Sequence, residues 1–342
     1  MDPAQSWERL STAISGPFER TITGALVGAY RSLEQRIEIA YKVALEGGSE
    51  IPLQRFLILR EQLGEILTGL RLPPELQSFV ADSLKDGQQA GDLWALAQLG
   101  TVQKEAERLG IQQAAQLFAD GATDPQAILT PAMARQNPSA LIAAAQRQRG
   151  LSLYVAPDAW AALGRVAESD LHGRIIGAVE FHLAQGDSWR SLQKTLTNAL
   201  GFAEQRAQMI ARTEMAAAMV EGTKLRYEAE GIKQVQWQAV GSSRTCGYCA
   251  PRHGKVYRLE DVICPAHPAC RCVVTPWEKE WLDLELIDAE EEGERRAAVL
   301  ADLEAAGKKP LTGPSPFEKA LGLQKAPEAI WSPPSPSSKE QS

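Results

Sequence analysis

Apolar residues return every three or four positions through residues 25–45 (ALVGAYRSLEQRIEIAYKVAL) and 53–70 (LQRFLILREQLGEILTGL), the period of a helix with one buried stripe. Gly47, Gly48 and the Pro73-Pro74 pair punctuate these runs, glycine by its backbone freedom and proline by its missing amide. The same texture, rich in Ala, Leu, Gln, Glu and Arg, continues to about residue 200. It predicts helices over 88–119, 139–148, 157–185 and 188–200. Breaks are expected at Asp124-Pro125, at Pro138 and at the Gly186-Asp187 turn, with Ser188 as an N-cap. Another helix is predicted over 203–230, ended by Gly231. Its stripe of Ala207, Ile210, Ala211, Ala217 and Ala218 is narrow enough for close approach to a sheet or a second helix.

The pattern changes at KQVQWQAV, residues 233–240. Strict alternation predicts a half-buried strand with Val235, Trp237 and Ala239 on one face and Gln234, Gln236 and Gln238 on the other. From 278 to 304, eleven Asp or Glu stand against three Lys or Arg at helical spacing, which predicts a solvated acidic helix continuing to 308. Beyond it, Pro- and Ser-rich text predicts a disordered tail over 309–342, with Phe317, Leu321, Leu323, Ile330 and Trp331 as apolar beads for a partner. The expected fold class is α+β, mainly α. A helical arm or bundle over 1–160, suited to packing and self-association as a homo-oligomer, precedes a small α+β domain over 165–277, the acidic helix and the tail.

Composition narrows the function. A chain of 342 residues, 44% hydrophobic and 23% charged, is ordinary for a soluble protein. The net charge of -7 argues against coating nucleic acid through bulk charge, since nonspecific binding needs clustered Lys and Arg. No run of about 18 apolar residues suggests a membrane span. The start, MDPAQSWERL, lacks the basic and apolar regions of a secretory signal, so synthesis in a cytoplasm is expected.

The chemistry is concentrated in residues 244–272. All five cysteines, Cys246, Cys249, Cys264, Cys270 and Cys272, fall there, with His253 and His267 among them. In a reducing compartment such clustering favours metal over disulfides. Cys246 and Cys249 form a C-x-x-C knuckle, and His267, Cys270 and Cys272 follow after seventeen residues. Zinc takes four tetrahedral N and S ligands, so the expected set is Cys246, Cys249, His267 and Cys270, with Cys272 as substitute for Cys270. Cys264 is the thiol least tied to either group. His253, in the turn Arg252-His253-Gly254-Lys255, reads as a surface turn residue. A thioredoxin-like pair would open a helix after a strand, whereas a glycine-bearing hairpin follows here. A closed site is structural rather than catalytic, and no Ser-His-Asp or Cys-His constellation stands out elsewhere, so no catalytic residue is assigned and no enzyme activity is expected.

These residues also carry a resemblance. Ala211-Arg212-Thr213-Glu214, Trp237 in its strand, Arg244-Thr245-Cys246-Gly247-Tyr248-Cys249, His253-Gly254-Lys255 and His267-Pro268-Ala269-Cys270-Arg271-Cys272 follow the order and gaps of the phage Mu F-like head morphogenesis domain. The chain resembles that domain over roughly residues 165–277. The resemblance implies a minor head protein of a phage or prophage, packaged in the procapsid interior and virion. Its implied partners are the portal and the major capsid or scaffolding protein, with packaged DNA within reach. It implies no settled enzymatic activity. The chain departs from the family in its extra thiol, Cys264, and in Ser242-Ser243, where members often carry an acidic residue. Arg212 and Glu214 project about 200° apart on a helix, so each is expected to make its own salt bridge. Two alternatives remain. One is a metal-dependent nuclease of treble-clef or HNH type with His253 or His267 as base. The other is a DNA-binding module using Arg244, Arg252, Lys255, Arg258 and Arg271, in a stretch, 204–277, with about three more basic than acidic residues.

Overall fold

A computed structural model of the chain describes residues 3–45, 53–108, 161, 163–185, 187–241 and 244–335. The helix expected over 139–148, the breaks at Asp124-Pro125 and Pro138, and Ser242-Ser243 lie outside the described residues, as do Gly47, Gly48 and Gly186. The chain divides into two compact units, one of residues 1–14, 84–154 and 215–342, the other of 15–83 and 155–214.

The second unit is helical. It draws on α1 (Pro3–Leu45), α2 (Leu53–Leu67), the start of α3 (Leu76–Arg108), α4 (His172–Ala184) and α5 (Trp189–Ala229). Phe18, Ile22, Leu26, Tyr30, Leu33, Ile37 and Tyr41 are buried along α1 at intervals of three and four, which is why this sequence forms one long amphipathic helix rather than loops. Polar ties complete the packing: Arg212 donates to both oxygens of Glu19 at 3.0 and 2.6 Å, and the Tyr41 hydroxyl donates to the Asp187 carbonyl at 2.8 Å. Separate helices over 188–200 and 203–230 were expected, but α5 is continuous through Gly201. A mid-helix glycine costs about 1 kcal/mol, and burial of Leu192, Leu196, Ala199, Ala203, Ala207 and Ala211 on one stripe outweighs it.

The first unit holds a three-stranded antiparallel sheet of order β2-β1-β3, from β1 (Gln234–Gln238), β2 (Val256–Arg258) and β3 (Val273–Trp277). Val235 stands opposite Tyr257 on one side and Pro276 on the other. One face packs on a core containing Tyr227, Trp237, Val274, Trp281 and Leu303. The opposite face was expected to meet solvent, yet Gln236 and Gln238 are each only 5% exposed. The acidic segment explains this. It runs as α6 (Lys279–Asp283) and α7 (Ala289–Ala305), the latter N-capped by Asp288. Glu292 of α7 is buried and accepts from Gln236 at 2.9 Å, so the glutamines are satisfied under a helix instead of hydrated. α7 is therefore not a wholly solvated helix.

α3 and α5 meet backbone to backbone in this unit. A Cβ at Gly91 would lie 1.7 Å from the Met219 carbonyl oxygen, and one at Gly222 would lie 1.8 Å from that of Gln88. Beside this crossing Arg226 donates to Asp92 at 2.5 Å, with side chains 3% and 7% exposed.

The segment expected to be disordered from 309 takes a defined path through 335; residues 336–342 lie outside the described residues. Leu311 donates its amide to the Gly247 carbonyl, and Phe317 donates to Ala266. Ser315 caps α8 (Pro316–Ala320) in a reciprocal capping box with Glu318. Glu318 is buried against Arg252 at 2.9 Å. Trp331 makes a bridge to Val256 and stacks on Trp277 with ring centroids 5.4 Å apart. The apolar beads at Ile330 and Trp331 find their contacts within the chain, which offsets the ordering entropy that composition alone weighs against such a segment.

Candidate metal centre

The knuckle between β1 and β2 forms because Cys249 and Ala250 both donate their amides to the Cys246 carbonyl at 3.1 Å, which turns the two thiols to one side. Gly247 within it is tight: a Cβ there would sit 2.4 Å from the Lys309 carbonyl oxygen. The second group is a turn before β3 in which Cys270 donates to the His267 carbonyl at 3.1 Å, with Ala269 in the left-handed region at φ 57°. The fold brings the two turns together. His267 Nε2 lies 3.0 Å from Cys246 Sγ and 3.2 Å from Cys249 Sγ, while Cys249 and Cys270 sulfurs are 3.8 Å apart. Cys246, Cys249 and His267 form one group able to hold a metal ion, and Cys249, Cys270 and Cys272 form an overlapping one. A cavity of about 40 Å³ is bordered by Cys246, Cys249, His267 and Cys272, room enough for an ion.

The donor set fits zinc. Bond lengths of about 2.3 Å to sulfur and about 2.0 Å to nitrogen give tetrahedral edges of about 3.8 Å between sulfurs and about 3.5 Å from sulfur to nitrogen. The observed sulfur pair matches, and the sulfur-nitrogen contacts need to open by less than about 0.6 Å. His267 Nδ1 lies 2.8 Å from the Pro268 carbonyl, to which it donates, so Nε2 is the nitrogen presented to the thiols.

Electrostatics point the same way. Hydrogen bonding from Cys249, then from His267 with its charge, holds the Cys246 thiol down to about 4 despite burial. Bonds from Cys249 and Cys272 hold Cys270 well below the usual thiol range. Burial pulls His267 down, but its bonds to Cys246 and Cys270 and their charges carry it up to about 11. Cys249, bonded to those same thiolates and buried, is pushed well up. Cys246 and Cys270 are thus biased toward the thiolate, the form that binds a metal, while Cys249 and Cys272 are biased toward the thiol. A dication among these donors would ionise the remaining thiols and take the place of the imidazole proton.

The other expected residues are placed as follows. Cys264 belongs to neither group; it donates to the Cys272 carbonyl at 3.4 Å, and burial raises its thiol well up. His253 is 4% exposed, so the surface-turn expectation is corrected: Gly254, at φ 73°, lets the hairpin fold back, and the Ala239 amide donates to His253 Nδ1 at 3.0 Å. Trp237 is buried in β1. Arg271 and Arg244 both reach Glu8, at 2.6 and 3.4 Å. With Arg252 held by Glu318 and Arg258 3.8 Å from Glu260, much of the basic charge is answered within the fold. In the other unit Arg212 pairs with Glu19 as described, and Glu214 is half-buried on the same helix. Glu8, Glu292 and Glu318 were not singled out from sequence. Only Glu318 carried a local signal, the Ser-x-x-Glu of a capping box.

Residues 174–275, which contain both thiol turns and the sheet up to Thr275, match the family model described as Phage Mu protein F like protein. No curated protein and no solved structure matches the chain. Among the described residues no helix is long and apolar enough to cross a membrane.

Proposed function

We propose that this chain is a phage or prophage minor head protein acting in head morphogenesis, with a structural zinc ion in the module described above. The observation that carries the reading is the convergence of Cys246, Cys249, His267 and Cys270 inside the stretch matched by the family. Zinc there would add folding energy to the core that already joins the sheet to the two thiol turns, because it would tie the Cys246–Cys249 turn directly to His267 and Cys270. Four protein donors fill a tetrahedral ion, so the proposal is of a non-enzymatic clip. His253, spent on the Ala239 amide, supports that reading over a hydrolase base. The proposed partners are the portal and the major capsid or scaffolding protein, and the proposed location is the procapsid interior and then the virion.

The test uses the full chain, since Glu8 and Asp92, far from the module in sequence, hold Arg271 and Arg226. Purified chain is expected to carry about one zinc per molecule by elemental analysis. As bait it is expected to retain portal or major capsid protein from an infected or induced lysate. A metal-free preparation of native fold would remove the zinc clip. Retention of neither head protein would remove the assembly role, whatever the metal content.

A further inference from the structure

The outer edge of β2 already holds a ligand, and the ligand is a piece of this chain. The Val256 amide donates to the Trp331 carbonyl at 3.0 Å and the Ile330 amide donates to the Val256 carbonyl at 2.9 Å, the pairing of an added antiparallel strand. The Trp331 ring lies on the Trp277 ring at 30°. Two glycines shape the exit: a Cβ at Gly254 would lie 3.0 Å from Pro333, and one at Gly293 would lie 2.4 Å from the Pro334 carbonyl oxygen. Backbone pairing, an indole seat and two bare positions for prolines make a site with its own specificity, for an extended segment of the form aliphatic-Trp-x-Pro-Pro.

The attachment of that segment is slight. Residues 321–325 are exposed, Leu321 at 69%, and the stretch between α8 and Ile330 is without helix or strand. Nine residues, 321–329, can reach about 30 Å when extended. The pairing is one bridge, not a ladder, so little backbone pairing opposes its opening. A neighbouring copy of this chain carries the same segment at the same end of the same linker.

We propose that the β2 edge with the Trp277 face is a strand-addition site at which the Ile330–Pro334 segment exchanges between copies of this chain, joining them by reciprocal swapping. The inference rests on the segment's contacts alone and does not need the zinc or the head role.

The experiment uses the full chain with a protease recognition sequence placed in the exposed 322–328 linker. After cleavage of the folded protein, excess fluorescent peptide of residues 326–336 is added. Exchange is read by anisotropy, with release of the native segment followed by mass. One peptide is expected to enter per chain, and a Trp331→Ala peptide is expected to bind at least about tenfold more weakly, as for an aromatic anchor in a central seat. In parallel, uncleaved chains labelled with donor or acceptor beyond residue 336 and on α7 are mixed. Energy transfer between copies is expected to rise with concentration and to vanish in the Trp331→Ala chain. Failure of peptide to replace the native segment, or equal entry of the alanine peptide, overturns the site. Peptide entry without transfer between copies overturns the swap.

Discussion

Replacing Glu318 by alanine strands a charge. Arg252 and Glu318 pair at 2.9 Å with side chains 8% and 2% exposed, and removing one partner of such a pair costs about 3–5 kcal/mol because the other is left buried and uncompensated. Arg252 keeps a bond to the Tyr248 carbonyl at 2.7 Å and lies 6.0 Å above the Trp237 ring, which places the loss near the low end. Glu318 also accepts from the Ser315 amide at 2.6 Å to close its capping box, worth about a further 1 kcal/mol. The expected destabilisation of Glu318→Ala is therefore about 4 kcal/mol, roughly a thousandfold in the unfolding equilibrium of this unit. Urea unfolding followed by tryptophan fluorescence measures it, since Trp237, Trp277 and Trp281 are all buried here. The double variant Arg252→Met with Glu318→Leu, which removes both charges and keeps the volume, is expected to recover most of the loss. A single-variant loss below about 1 kcal/mol, or a double variant no better than the single, would refute the reasoning that the charge is desolvated.

Cys249 is shared by both donor groups, so Cys249→Ser is expected to abolish stoichiometric zinc while Cys264→Ser retains it; elemental analysis decides, and equal zinc in both would sink the ligand assignment. Gly222→Ala must push apart two helix backbones at the 1.8 Å approach, at a cost of at least the about 1–3 kcal/mol of ordinary overpacking. Gly24→Ala and Gly28→Ala on α1, with no atom within 4 Å of the new Cβ, are expected to be neutral or to stabilise. Thermal unfolding that ranks the three alike would contradict this. Burial raises the Glu292 carboxyl above its ordinary range, against the pull of Arg295 and Gln236. A folded-state value above the unfolded one gives stability that is complete below the unfolded value, about 4.3, and is lost as pH rises through the folded one. Glu292→Gln is accordingly expected to gain stability relative to the parent as pH climbs from about 4 to 7, by paired urea titrations; a constant or falling difference would reverse the sign.

The two thiol turns were legible before the fold because metal ligation is a local demand on spacing, and Cys246, Cys249, His267 and Cys270 met it. The long helices were legible for a similar reason, their apolar stripes being written at one period. What escaped was polar burial. Gln236 and Gln238 alternate in the manner of a solvated face, and it is the arrival of α7, with Glu292 56 residues downstream as a partner for Gln236, that makes them interior. His253 was misread for the same reason: a histidine after a turn looks exposed until the Ala239 amide is seen to donate to it. The Pro-rich end misled because composition measures how much apolar surface a segment owns, whereas Trp331 uses surface belonging to Trp277.

The Leu311 amide on the Gly247 carbonyl, the Glu318 carboxylate on Arg252 and the Trp331 indole on Trp277 also impose an order on synthesis. Every proposed metal donor has left the ribosome once Cys272 has, but Trp331 follows roughly 60 residues later, about 3–12 s at ordinary elongation rates. During that interval the nascent module holds a buried arginine without its carboxylate and a sheet edge without its strand. A chain whose synthesis stops between Cys272 and Glu318 would keep both thiol turns and still leave Arg252 without its carboxylate and Trp277 without its stacked indole.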